Sequence, residues 1–91
     1  MRRASALNVT GDAAALARAS VFFGFSLRDT SGSANTVTIY DNASAASGTV
    51  IASVAIAANG SQTLSIPNGL GLLNGLYIDT TAAVVGSVWY G

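Results

Sequence analysis

The stretch SVFFGFSLR, residues 20–28, alternates apolar side chains with small or polar ones and decides the fold class. Its odd positions are all apolar: Val21, Phe23, Phe25 and Leu27. Because successive side chains of a strand point to opposite faces of a sheet, this period predicts a half-buried β-strand. The odd positions are expected to face the core, and Phe22 is expected on the other face with Ser20, Gly24 and Ser26.

The same period of two recurs along the rest of the chain. It predicts strands at residues 35–41, 49–57, 62–66, 76–79 and 84–90, with inward apolar positions that include Val37, Ile39, Val50, Val54, Leu64, Leu76, Ile78 and Val88. Turn signals separate these runs. Asn59-Gly60 predicts a type I′ hairpin, and Pro67 is expected to end the strand before it. The pattern predicts an all-β fold, a small antiparallel β-sandwich of jelly-roll-like or Greek-key type with about seven or eight short strands.

The first nineteen residues are interpreted as an N-terminal arm with possible short strands, ahead of a sandwich domain over residues 20–91. Asp12 could cap a short helix over residues 13–19, with Arg18 in its last turn. Seven residues rarely hold a helix without packing, so two short strands at residues 7–9 and 14–17 are the preferred alternative. Arg2 and Arg3 then form a mobile arm, unless a neighbouring molecule orders it.

The chain contains no Lys, Glu, His or Cys, and four Arg balance four Asp to give a net charge of zero. Charged residues make up 9% of the sequence. In a free-standing soluble domain, about a quarter or more of the surface residues are usually charged. We therefore expect much of the surface to be covered by copies of the chain or by a larger assembly. Without Cys or His the usual metal ligands and general bases are missing, so we expect no enzyme activity, no metal and no cofactor.

Nucleic-acid and membrane partners are not expected. Binding to nucleic acid requires a basic patch, which a net charge of zero does not favour. Residues 42–78 carry no charge, but Asn, Gly, Ser and Pro67 interrupt them too often for a membrane helix. Met1-Arg2-Arg3 could begin a secretory signal, but Asn8, Asp12 and Arg18 interrupt any apolar core.

Three carboxylates fall near predicted strand ends or in strands. Asp29 and Asp41 are interpreted as turn residues that bond nearby backbone, and Asp79 as the outward polar residue of its strand. A catalytic carboxylate pair or a Ca²⁺ site is the less favoured interpretation.

Several large side chains are expected on the outer faces of their strands. They are Phe22, Tyr40, Ile51, Tyr77 and Trp89. Either both faces of some strands are buried within the sandwich, or these residues form protein–protein contacts, for which aromatic anchors on a charge-poor surface are typical. Together with Arg2 and Arg3 they are the candidate interface residues. No Lys is present to protect an edge strand from pairing, which favours the second alternative.

A resemblance follows from recurring words along residues 20–91. They are GFSLRDTSG at residues 24–32, TVTIY at 36–40, VIASVAI at 50–56, ANGS at 58–61, GLYI at 75–78 and GSVWY at 86–90. This order resembles small β-sandwich virion proteins of tailed bacteriophages, which decorate capsids or form head and tail appendages. The resemblance implies a structural role in many copies, and no family site residue is carried over to this chain.

The leading hypothesis is a non-enzymatic virion protein, a capsid decoration (cement) protein assembled in the host cytoplasm. Its expected partners are copies of itself, as a trimer or larger, and a major capsid or other virion protein. The alternative is a tail-fibre or spike module that binds host surface carbohydrate, in which Tyr40 and Trp89 would stack on sugar rings.

Overall fold

The computed structural model describes residues 5–11, 13–16 and 20–91. These residues form eight strands: β1 (Ser5–Val9), β2 (Ala13–Leu16), β3 (Ser20–Asp29), β4 (Asn35–Asp41), β5 (Thr49–Ile56), β6 (Ser61–Leu72), β7 (Leu76–Thr80) and β8 (Val84–Tyr90). The all-β fold predicted from the alternation is confirmed. In the N-terminal part, the described segments at residues 5–9 and 13–16 are strands, as in the preferred alternative.

The strands form two four-stranded antiparallel sheets. Sheet A has the order β1-β8-β3-β6, and sheet B has the order β2-β7-β4-β5. The first strand pairs with the last, the second with the seventh, the third with the sixth and the fourth with the fifth. This nested pairing is that of one long hairpin rolled into two layers, so the sandwich is a jelly roll.

The core lies between the sheets and is apolar because alternate positions of each strand point inward. Its fully buried apolar side chains are Val9, Phe22, Phe25, Leu27, Val37, Ile39, Ile56, Leu72, Leu76, Ile78, Val84 and Val88. Leu7, Ile51, Ala52, Val54, Leu64, Ile66 and Tyr90 are partly buried and pack against this cluster. The inward positions predicted for β4, β6, β7 and β8 are confirmed.

Phe22 is a correction, because its side chain is completely buried in the core. The register between β3 and its neighbours shifts between Phe22 and Gly24, which inserts Phe23 as an unpaired residue. One extra residue inverts the alternation on that side of the bulge. Phe22 therefore shares the inner face with Phe25, and it is not an outward contact residue as the sequence predicts.

The prediction that Pro67 ends its strand is also wrong, and the same register shift between β3 and β6 explains why. Strand β6 continues through Pro67 to Leu72, but residues 66–69 have no partners on β3, since Ser65 pairs with Gly24 and Leu70 with Phe22. Pro67 thus lies where a ladder hydrogen bond is not required of it.

The turn at Asn59-Gly60 is also different from the prediction. It joins β5 of sheet B to β6 of sheet A, so it cannot close a two-stranded hairpin. The Gly60 amide donates to the Ala57 carbonyl at 2.8 Å, and only Asn59 of the Asn-Gly pair has a positive φ, of 59°. A type I′ turn requires positive φ at both central residues.

Two glycines allow neighbouring strands of sheet A to approach one another, β3 with β6 and β8 with β3. Gly24 has a φ of 138° and Gly86 a φ of 151°. A Cβ atom at Gly24 would collide with the Leu64 carbonyl, and one at Gly86 with the Ser26 carbonyl. Both positions therefore require glycine for their backbone conformation and for space.

Candidate interaction surface

Two tyrosines and a valine stand side by side across the outer face of sheet B. Tyr77 of β7 is directly opposite Tyr40 of β4, and Tyr40 is directly opposite Val50 of β5. The neighbouring pair Ile39 and Ile78 is buried on the inner face, so the two tyrosines point outward. Directly opposed residues have Cβ atoms about 5 Å apart, which makes the three residues one continuous row. We call Tyr77, Tyr40 and Val50 the tyrosine row.

A bulge in β5 completes the tyrosine row. Ile39 pairs with Ala52 and Tyr40 pairs with Val50, so Ile51 is an extra residue between the two pairs. The shift turns Val50 to the outer face, where 52% of its surface is exposed. Ile51 instead packs against the core. The sequence places these two residues the other way round, so the prediction of Ile51 as an outward contact is wrong.

Polar side chains border the tyrosine row on the same face. Thr38 lies opposite Asp79 on one side and opposite Ser53 on the other. This second row supplies two hydroxyl groups and a carboxylate, and Thr38 and Asp79 lie two residues from the tyrosines of β4 and β7. The face is therefore amphipathic, with one row of rings and methyl groups and one row of hydrogen-bonding groups.

The other predicted contact residues do not join this surface. Trp89 of β8 pairs with Ala6 and Gly24 in sheet A, and it alternates with the buried Val88. Trp89 is therefore on the outer face of the opposite sheet, so Tyr40 and Trp89 cannot form one site. Arg2 and Arg3 lie outside the described residues.

Comparison with protein-family models, with curated proteins and with solved structures found no match. Among the residues described, no three acidic, His or Cys side chains gather as a metal site would require, and no helix is long and apolar enough to cross a membrane.

Asp29 holds together the loops at one end of the sandwich. Its Oδ1 atom accepts hydrogen bonds from the Ser31 hydroxyl at 2.6 Å, from the Ser31 amide at 3.2 Å and from Asn35 Nδ2 at 3.1 Å. Its Oδ2 atom accepts from the amides of Gly32 at 3.0 Å and Asn59 at 2.9 Å. These bonds, first of all the one from the Ser31 hydroxyl and then the one from the Asn59 amide, hold the pKa of Asp29 well below its usual range despite its burial.

Asn35 extends this network to a third loop. Its side chain is buried and donates to the Ala83 carbonyl at 3.2 Å, while its Oδ1 atom accepts from the Ala82 amide at 3.1 Å and the Thr81 hydroxyl at 3.2 Å. The β3–β4, β5–β6 and β7–β8 loops thus meet at two buried polar side chains. Such a saturated network fixes the loops, because each buried polar group has its partner.

Asp41 plays a similar part at the other end of the sandwich. Its carboxylate accepts hydrogen bonds from three consecutive amides of the β6–β7 loop: Leu73 at 3.0 Å, Asn74 at 2.9 Å and Gly75 at 3.3 Å. The bond from Leu73 is the largest cause that lowers the pKa of Asp41. Asp29 and Asp41 were predicted to bond nearby backbone. The structure adds long-range partners that the sequence does not indicate.

Proposed function

We propose that this protein is a non-enzymatic structural protein of a tailed-bacteriophage virion, a capsid decoration protein that binds the shell in many copies. The tyrosine row is the observation that carries the proposal. It places two partly buried tyrosine rings and an exposed valine on the outer face of sheet B. Aromatic side chains are enriched at the centres of protein interfaces, where charged residues are depleted.

The fold and the charge distribution support the same proposal. Jelly rolls are used by viral capsid proteins, although the fold by itself does not determine function. The structure describes four charged residues. The carboxylates of Asp29 and Asp41 accept hydrogen bonds from loop residues, and the other two charged residues are Arg28 and Asp79. Many weak apolar contacts repeated over a symmetric shell would give tight overall binding without charged recognition.

The proposal predicts self-association through the tyrosine row. The recombinant chain, measured by size exclusion with light scattering over a concentration series, is expected to form a discrete trimer or larger assembly. Replacing both rings with Tyr40→Ser and Tyr77→Ser should shift it towards the monomer by about tenfold or more in dissociation constant, since central aromatic residues dominate interface energies.

Trp89→Ser is the matched control, because it removes an aromatic ring from the outer face of the opposite sheet. It is expected to leave the mass unchanged. A loss of mass in Trp89→Ser with none in the tyrosine variant would move the contact to sheet A. A wild-type monomer at every concentration would contradict self-association.

A second candidate function is carbohydrate binding by a tail-fibre or spike module. The adjacent rings of Tyr40 and Tyr77, next to the hydroxyl of Thr38 and the carboxylate of Asp79, combine a flat apolar surface with hydrogen-bonding groups. Jelly rolls are also used by lectins. Titration of host surface polysaccharides would then shift the NMR signals of Tyr40 and Tyr77 and leave Trp89 unchanged. No shift across a panel of surface glycans would contradict this function.

A further inference from the structure

Strand β5 forms one edge of sheet B and carries no charged residue. It is the outermost strand in the order β2-β7-β4-β5 and spans Thr49–Ile56. An edge strand presents unpaired N–H and C=O groups, and native proteins usually protect such edges with Lys, Pro or bulges. The sequence of β5 contains neither Lys nor Pro, and its single bulge at Ile51 leaves residues 52–56 in regular register with β4.

The hydrogen bonds of Thr36 show which peptide groups of β5 face the open edge. The Thr36 amide donates to the Thr81 hydroxyl at 2.9 Å, and the Thr36 carbonyl accepts from the Thr81 amide at 3.2 Å. Thr36 therefore directs its peptide groups towards the β7 side and away from β5. In an antiparallel ladder its partner Ala55 must then direct its own groups away from β4. Gln62 Nε2 donates to the Ala55 carbonyl at 3.3 Å, which agrees with this direction.

Ser53 has the same orientation as Ala55, because peptide direction repeats every two residues along a strand. It is exposed and lies opposite Thr38. Its N–H and C=O groups thus point to the open edge of sheet B. Among the described residues, the side chain of Gln62 protects only the Ala55 end, which leaves residues 52–54 as a regular, uncovered edge.

The other edges formed by described residues are either shorter than β5 or interrupted over more residues than its single bulge at Ile51. Strand β6 contains Pro67 and four residues without partners on β3, which bend it away from regular pairing. Strands β1 and β2 have five and four residues. Strand β5 is therefore the edge best suited to accept another strand.

We propose that β5 pairs antiparallel with β5 of a second copy of this chain across a two-fold axis. The proposal rests on the proposed multi-copy assembly and names one of its contacts. A two-fold axis brings identical strands together in antiparallel orientation, so one sequence meets itself. Like charges across such a pair would oppose it, and residues 42–78 carry no charge. The pairing would join two copies of sheet B and place both tyrosine rows on one continuous face. It requires an assembly with an even number of copies, such as a hexamer, so a discrete trimer would overturn it.

Amide hydrogen exchange at Ser53, measured by NMR over a protein concentration series, tests the pairing in the unmodified chain. The Ser53 amide faces solvent in the single copy, so it should exchange quickly in dilute solution. Pairing across the edge would slow its exchange by at least about tenfold as concentration rises. Contact through the tyrosine row alone would leave the Ser53 amide unprotected.

Ser53→Lys provides a second test, since a Lys beside the edge is a natural guard against strand pairing. It should abolish the protection at residue 53 and lower the mass measured by light scattering. The matched control is Ser87→Lys on the central strand β8 of the opposite sheet. It should keep both the protection at residue 53 and the wild-type mass. The melting temperature of each variant verifies that it folds.

The outcomes separate this inference from the proposed function. Association of the wild type without protection at Ser53 would overturn the β5 pairing and leave the proposed assembly standing. Equal loss of mass in Ser53→Lys and Ser87→Lys would also overturn it. A wild-type monomer at every concentration would overturn the β5 pairing and the self-association, and would leave only binding to a separate shell protein.

Discussion

Asp29 binds five donors from three segments of the chain, and this makes its ionisation part of the folding equilibrium. Its pKa is lowered in the folded protein, as is that of Asp41. An unfolded Asp has a pKa of about 3.9. The stabilisation from both groups is therefore present above about pH 4 and is lost as pH falls below it towards the folded values.

We expect a melting temperature that changes little between about pH 7 and pH 5 and falls steeply below about pH 4, when followed by circular dichroism. The chain has no Glu or His, and Asp12 and Asp79 are its only other side-chain carboxylates. Asp29→Asn should melt at a lower temperature at pH 7, because an amide adds a donor where five donors already converge. It should also show a shallower acid transition. A wild-type melting temperature that stays constant down to pH 2 would refute this account.

At the scale of elements, the bulge in β3 determines which of two consecutive phenylalanines belongs to the core. Phe22 is fully buried and Phe23 is only partly buried. Truncating a buried Phe to Ala typically costs about 3–5 kcal/mol, so Phe22→Ala should lose most of the stability of a domain this size. Phe23→Ala should cost less than about 2 kcal/mol. Urea unfolding of the two variants measures the difference, and a larger loss in Phe23→Ala would restore the register that simple alternation predicts.

The two bulges also explain how far the sequence predicts the fold. Alternation identifies six strands after residue 20 and the inward residues of β4 and β7, such as Val37, Ile39 and Ile78. It fails for Phe22 and Ile51, where an unpaired residue inverts the faces. A bulge depends on the partner strand, and a local pattern does not contain that partner.

The candidate surface was predictable only in part for a related reason. The alternation places Tyr40 and Tyr77 on the outer faces of their strands, and the structure has them there. Their direct opposition depends on the register between two strands that are far apart in sequence. The Asn59-Gly60 turn illustrates the same limit, because a local hairpin signal does not reveal that its strands enter different sheets.

At the scale of the whole molecule, the distribution of charge determines how the surface responds to salt. Among the residues described, the carboxylates of Asp29 and Asp41 accept hydrogen bonds from loop residues, and Arg28 and Asp79 lie on the outer faces of opposite sheets. The tyrosine row and β5 contain no ionisable group other than the tyrosine hydroxyls. Contacts through them would bury apolar surface and backbone groups, which screening by salt affects little.

Self-association should therefore be insensitive to sodium chloride and become stronger in sodium sulfate. Raising the chloride concentration from about 0.05 M to about 0.5 M screens exposed ion pairs, because the Debye length falls well below about 10 Å. Sulfate strengthens the burial of apolar surface because it is excluded from the protein surface. Sedimentation velocity across both salt series measures the change. Association that weakens as chloride rises would show instead that charged residues carry the contact, and Arg2 and Arg3 would then be the residues to replace.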